Sequence, residues 1–556
     1  MDTTRFILVL ALAFVSMMLW QEWQNDYGVA PQPAADSRDT AVTDSKETDT
    51  SGVTGDVPTF GDDQEQAMPE EPEKKAASTG EYINVETDTF RLRISLRGGS
   101  IVHAALPDYP IDLDKPDEPF VLLNNSNEHF HIIQGGLLSK TVAPTHEDFY
   151  SSGRRQYSLQ PGEDVLEVPL TWSDQGITVT KTFHFRRGSH LVDVSYRVEN
   201  RSGGEWQGRS YQQLKRSDPG RESYLLYTYT GAVISSPEDR YKKIDFDDIQ
   251  DQKLQKDIVN GWAAMLQHYF VTAIVPADKT ASYRYYTNTT AGRYFSIGGI
   301  SPALTVPAGD TAEFQQKVYA GPKVQDKLAQ IADGLELTVD YGILWFISKP
   351  LFWCLKQLHD ITGNWGWAII LVTVFLKILF YRLSAAGYRS MANMRRVQPR
   401  IMSIRDRYKN DKQRLNQAMM DIYKEEKINP LGGCFPILIQ IPVFIALYWV
   451  LLESIELRHA PFILWIRDLS APDPFWVLPV LMGITMFIQQ KLNPAPMDPV
   501  QEKVMMSLPF VFTIFFGFFP SGLVLYWVVN NVLSIAQQWM ITRKLEKDGL
   551  SAHPKK

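Results

Sequence analysis

The sequence predicts a multi-span α-helical membrane protein, with six transmembrane helices, that carries a large all-β domain on one side of the bilayer. Three observations lead there. Apolar runs recur at 6–20, 365–383, 435–452, 475–488, 508–519 and 523–539, at or near the length that crosses a bilayer. The loop between 383 and 435 is dense in Arg and Lys, the mark of a cytoplasmic loop. Over residues 81–320 the hydrophobic period is two rather than 3.6.

Bulk properties narrow the class. The 556 residues carry a net charge of only −7, which hides acid near the N-terminus and base between the apolar runs. Two cysteines, Cys354 and Cys434, both in apolar stretches, make no disulfide framework. No P-loop, dinucleotide fingerprint or HExxH motif is present, and no nucleophile–base pair or metal set stands out. No enzymatic activity, cofactor or metal is therefore expected.

Residues 1–25 open with Arg5 and an apolar run. Gln21-Glu22-Trp23-Gln24 follows instead of a small-residue cleavage site, which predicts an uncleaved signal anchor with a cytoplasmic N-terminus. Residues 26–80 read as a disordered acidic linker, a plain spacer, with thirteen acidic and four basic residues between 26 and 79. From 81 to 320, alternation such as Gly176-Ile177-Thr178-Val179-Thr180-Lys181-Thr182-Phe183, punctuated by Gly98-Gly99 and Pro161-Gly162, predicts a β-sandwich. His129 and His131 are spaced to share a strand face, without a third ligand nearby. Residues 321–363 switch to helical spacing. Val324, Leu328 and Ile331 form a short closing stripe, and 341–361 reads as an amphipathic helix at the outer interface.

Residues 364–384 are expected to form the second transmembrane helix, in which Trp365–Phe380 is apolar except for Thr373 and Lys377. A cation there either faces a wet cavity in the bundle or snorkels to the headgroups, because twelve residues past Trp365 rise only about 18 Å. Thr373 lies four residues earlier, on the same helical face. Residues 385–430 predict a basic helical hairpin. Its apolar stripes are Met391, Met394, Val397, Ile401, Ile404 and Tyr408, then Leu415, Met419, Ile422 and Tyr423. Arg395, Arg396, Arg400, Arg405 and Arg407 are its candidate contacts, either for a partner or for anionic lipid. Residues 431–545 hold the third to sixth helices. Gln440 in the third, and Asn530, Asn531, Ser534, Gln537 and Gln538 in the last, join Lys377 in suggesting a wet recess. Basic residues in the tail, 546–556, and just before it place the C-terminus in the cytoplasm and the β domain outside.

One long signature adds to this reading. It comprises Asn429-Pro430-Leu431-Gly432-Gly433-Cys434-Phe435-Pro436, Gln440, Pro442, Phe444, Ala446-Leu447-Tyr448, Glu456-Leu457-Arg458, Leu464-Trp465-Ile466, Asp468-Leu469-Ser470 and Phe519-Pro520-Ser521-Gly522-Leu523-Val524-Leu525-Tyr526. With it the chain resembles the YidC family of bacterial membrane insertases, in the Gram-negative form. The resemblance implies a five-helix insertase core around a hydrophilic groove, a periplasmic β-supersandwich domain and an inner-membrane location. It also implies that the protein inserts, folds and helps assemble membrane proteins, alone or with the Sec translocon. Its partners would be nascent membrane proteins, the ribosome and signal recognition particle pathway, and anionic lipid, with no sequence-specific nucleic acid. By motif position Lys377 replaces the groove's usual arginine, Thr373 matches a groove-lining threonine, and Tyr526 and Trp527 match a substrate-contacting aromatic pair. Arg382 stands where the family usually has proline. A transporter or channel, or a scaffold that inserts nothing, is the alternative.

Overall fold

The computed structural model describes residues 56–58, 82–127, 129–220, 228–408, 411–425, 435–493 and 499–550. The expected signal anchor, the tail beyond 550 and all of the expected linker except 56–58 lie outside these residues.

Two large sheets make the β domain. One has eleven strands, with the path Gln255–Val259, Ser282–Thr290, Tyr294–Ile300, Trp206–Ser217, His131–Ser139, Ile101–Asp112, Arg91–Ser95, Tyr82–Glu86 and Gln156–Ser158; Leu304–Val306 and Lys115–Leu123 pair off this path. The other has eight strands, running Lys242–Ile244, Gly231–Ser235, Trp262–Leu266, Phe270–Val275, Thr311–Pro322, Leu191–Asn200, Ile177–Arg186 and Val165–Asp174. The alternation read in the sequence is the cause. In Ile177–Arg186 the residues Ile177, Val179, Lys181, Phe183 and Phe185 all point inward, and a sheet with one buried face requires that period. The inner faces share one core, including Ile83, Phe90, Ile133, Phe183, Val194 and Trp206. Gly98 turns the chain at φ +70°, where a Cβ would collide with the His146 backbone oxygen at 2.3 Å. His131 begins its strand buried, with Nε2 3.1 Å from Thr272 Oγ1. His129 lies exposed before that strand.

Ten helices are described: α1 Phe246–Asp251, α2 Gln325–Ile331, α3 Trp345–Thr362, α4 Trp365–Leu379, α5 Tyr381–Arg407, α6 Lys412–Glu425, α7 Phe435–Glu453, α8 Val477–Leu492, α9 Pro499–Phe516 and α10 Ser521–Leu550. Helix α3 is amphipathic as expected. Ser348, Leu351, Phe352 and Leu355 are buried while Trp345, Phe346, Trp353 and Ile361 face out. Asn364 starts α4, accepting from the Trp367 amide at 3.2 Å. Its amide group donates to the Pro461 and Phe462 carbonyls at 3.1 and 3.2 Å. Gly483 lets α8 approach α9, since a Cβ there would meet Thr513 Oγ1 at 2.0 Å.

The helices differ from the expected spans. Among the described residues no single helix is long and apolar enough to cross a membrane; α4 and the first part of α5 meet the length and composition only together, with a 68° bend between them. The span expected to run unbroken from 365 to 383 therefore ends at Phe380. Helix α10 has the length, 30 residues, but Asn530, Asn531, Gln537 and Gln538 dilute its hydropathy. Large apolar side chains nevertheless face outward on these helices, among them Phe375, Ile378, Ile484, Phe510, Val511 and Ile514. So extensive an apolar exterior marks an interaction surface rather than a water-facing one.

Candidate functional site

Lys377 ends α4 one turn after Thr373, and its side chain is turned toward α10. The ammonium donates to Ser534 Oγ at 2.7 Å, and Ser534 in turn donates to the Asn530 carbonyl at 2.7 Å. Across from it, Gln440 of α7 donates through Nε2 to Asn530 Oδ1 at 3.0 Å. Thr373, Lys377, Gln440, Tyr526 and Asn530 line one small, partly open recess, together with Leu376, Phe380, Ser384 and Val443. Buried polar groups persist where they find partners. Here α10 supplies most of them, because Tyr526, Asn530 and Ser534 recur every fourth residue along one face.

An ammonium has three donors. Among the described residues Lys377 makes one hydrogen bond, to Ser534. Its other two N–H groups meet no hydrogen-bond acceptor among the described residues.

Five of the six residues expected in the groove share this recess. Trp527 does not line it. It packs against Phe444 of α7 (4.8 Å, 75°) and Phe516 of α9 (5.4 Å, 50°), while its neighbour Tyr526 stacks on Phe444 (5.9 Å, 19°). Ser534, one of the polar residues the sequence placed in the last helix, is the one that accepts from Lys377.

One end of the helical unit is closed. Asp468 accepts from the Ser470 amide and hydroxyl, both at 2.7 Å, and from the His459 amide at 3.1 Å. Asp473 accepts from the Leu478 amide at 2.7 Å and from Trp465 Nε1 at 3.0 Å. The turn into α10 is tied to the same loop, Ser521 Oγ donating to the Asp468 carbonyl and the Gly522 amide to the Leu469 carbonyl. Phe516, Phe519, Leu469 and Leu523 fill the space beneath.

The hairpin α5–α6 closes on Val397, Ile401 and Ile422, flanked by Met394, Ile404 and Tyr423. Arg400 and Arg407 are exposed and Arg405 is half-buried. The side chains of Arg395 and Arg396 lie outside the described residues.

The family model described as "YidC periplasmic domain" matches residues 82–354, and the one described as "60Kd inner membrane protein" matches 357–548. Curated relatives named "Membrane protein insertase YidC" match almost end to end. The protein of Thioalkalivibrio sulfidiphilus is 48% identical over 99% of this chain and 100% of its own length. That of Methylococcus capsulatus is 48% identical over 99% of each. This chain belongs to the YidC family of membrane protein insertases. A solved structure titled "Active YidC insertase crystal structure with the first transmembrane domain resolved" aligns with 83% of this chain and 92% of its own at 18% identity, TM-score 0.38. The YidC family consists of inner-membrane insertases with a periplasmic domain, not of enzymes.

Proposed function

We propose that the chain works as a membrane protein insertase and folding chaperone, through the recess around Lys377. The observation that carries the reading is a cation held among polar side chains inside apolar helices. The barrier to insertion is the desolvation of a client's short polar tail. A polar recess closed at one end shortens the apolar path, and Lys377 attracts acidic groups on the tail. The client's apolar segment then leaves along α7 and α9 into lipid, driven by its own transfer out of water. Trp527, packed between Phe444 and Phe516, belongs to that route rather than to the recess. No bond is made or broken.

In this reading six spans cross the inner membrane, with both termini and the α5–α6 hairpin in the cytoplasm and the β domain in the periplasm. Loop charge supports the orientation. Six spans require the bent α4–α5 pair, the shorter α7, α8 and α9, and α10 to act as a bundle in which neighbours shield polar backbone and side chains. The exposed arginines of the hairpin suit ribosomes, signal recognition particle or anionic lipid, and the Sec translocon is the natural companion for larger clients.

The test is reconstitution. Purified protein in vesicles is expected to insert a small Sec-independent client and to move no ions or solutes. Solute uptake without insertion would favour a transporter, and binding of folded partners without insertion would favour a scaffold.

A further inference from the structure

Asp56 falls in the acidic stretch expected to act only as a spacer, yet its carboxylate is inside the β domain, with the side chain 11% exposed. Oδ2 accepts from Lys215 Nζ at 2.6 Å and lies 3.3 Å from His146 Nε2. Oδ1 accepts from Thr290 Oγ1 at 3.2 Å. These partners come from three separate segments: the strand Trp206–Ser217, the connection after His131–Ser139, and the end of Ser282–Thr290. The histidine is held in place by Tyr211, whose hydroxyl lies 2.6 Å from His146 Nδ1 and accepts from the His146 amide at 3.0 Å. Lys215 is itself 12% exposed and His146 3% exposed. Next along the chain, Val57 packs onto Leu138, Tyr211 and Ile300.

Burial works against the charge of Asp56, but His146 and Lys215 outweigh it and hold the carboxyl well below the ordinary carboxylate range. Lys215 in turn would be a buried cation without its counter-ion, a costly state. A carboxylate socket with an apolar shelf beside it recognises a short acidic peptide: charge first, then a branched apolar residue.

We propose that Lys215, His146 and Thr290 form a carboxylate-recognition site of the β domain, whose ligand is an acidic Asp-Val-Pro peptide supplied by residues 56–58 of the same chain. The site divides the acidic stretch. Docked at Asp56, the β domain is joined to the expected anchor by residues 26–55, whose full extension is about 100 Å, instead of by 26–80 at about 190 Å. The site thereby limits how far that anchor can lie from the rest of the molecule.

The experiment uses the full-length protein in detergent and a fluorescent synthetic peptide of residues 51–61. Wild-type protein is expected to bind the peptide weakly, because its own segment occupies the site. Asp56→Ala is expected to bind it at least tenfold tighter than wild type does, and at least tenfold tighter than it binds a peptide with Asn at the Asp56 position. Adding Lys215→Met is expected to remove this discrimination. A folded Asp56→Ala protein that binds neither peptide, or both equally, overturns the proposal. If Asp56→Ala loses its native near-ultraviolet circular dichroism, Asp56→Asn carries the same comparison. Thermal unfolding supplies an independent readout: Asp56→Asn and Lys215→Met are expected to be non-additive in one chain, and strict additivity contradicts the contact.

Discussion

Lys181 and Lys377 are both lysines held inside protein, and their different surroundings separate a structural cation from the one proposed to act on clients. Lys181 is 2% exposed in the β core. Its ammonium donates to the carbonyls of Gly98, Gly99 and Gly135 at 2.9, 2.9 and 3.1 Å, one acceptor for each proton. Lys377 makes one hydrogen bond among the described residues and opens onto a recess. Replacing Lys181 by Met strands three buried carbonyls and is expected to cost about 3 kcal/mol of β-domain stability. Lys377→Met strands only the Ser534 hydroxyl and is expected to cost about 1 kcal/mol or less. Chemical unfolding of both variants in detergent checks this; equal losses would make Lys377 another structural lysine. The strand around Lys181 was legible from its alternation, but that its lysine shares the inward face with Val179 and Phe183 comes from the structure. The four-residue step from Thr373 put Lys377 on a polar face. Trp527 was not legible in that way. Consecutive helical residues point about 100° apart, so the packing of α7 and α9 decides which of Tyr526 and Trp527 lines the recess.

Among the elements, the hairpin was the most legible. Six of the ten residues of its stripes, Met394, Val397, Ile401, Ile404, Ile422 and Tyr423, are the ones that now meet. Ile401→Asp is expected to open the α5–α6 contact, seen as faster hydrogen exchange in both helices. Arg407→Glu is expected to leave exchange unchanged and to weaken binding to anionic vesicles by about 1 kcal/mol or more. If Ile401→Asp left exchange unchanged, the hairpin core would be unimportant to its fold. The break between α4 and α5 was illegible, because neither Pro nor Gly marks Phe380. The docking of Asp56 was hidden for the opposite reason. An acidic, Pro- and Ser-rich neighbourhood reads as solvated whatever single carboxylate inside it finds a partner.

At the scale of the whole molecule, the β domain and the helical unit meet in a junction that the sequence did not reveal, since its contacts join residues hundreds apart. His268 Nε2 donates to the Leu452 carbonyl at 3.0 Å, Arg458 donates to the Pro110 carbonyl at 2.6 Å, and Arg467 pairs with Asp114 at 2.8 Å. Lys323 lies 3.9 Å from Glu453, both buried. Lys323→Met is expected to destabilise the junction more than the double change Lys323→Met with Glu453→Gln, because the single change leaves a buried charge unpaired; thermal unfolding orders the two. Acid acts on the same region. Burial, then the charge of Lys323, brings His268 down to about 4, and burial, then Lys327, brings His190 to about 4. Both lie below the ordinary histidine value, so the unfolded chain binds more protons between about 4 and 6.5, and stability falls as pH drops through that window. His268→Gln and His190→Gln are expected to flatten this dependence, and an unchanged slope would remove these histidines from the account. Capture of acidic client tails by Lys377 is tested by reconstitution. Wild type, Lys377→Arg, Lys377→Ala and Lys377→Glu are reconstituted at equal abundance, and insertion is measured for matched clients that differ only in the charge of the translocated tail. Lys377→Arg is expected to preserve most insertion, Lys377→Ala to impair acidic-tailed clients more than neutral ones, and Lys377→Glu to impair the acidic set further. Equal loss for acidic and neutral clients in Lys377→Ala would contradict electrostatic capture by this residue.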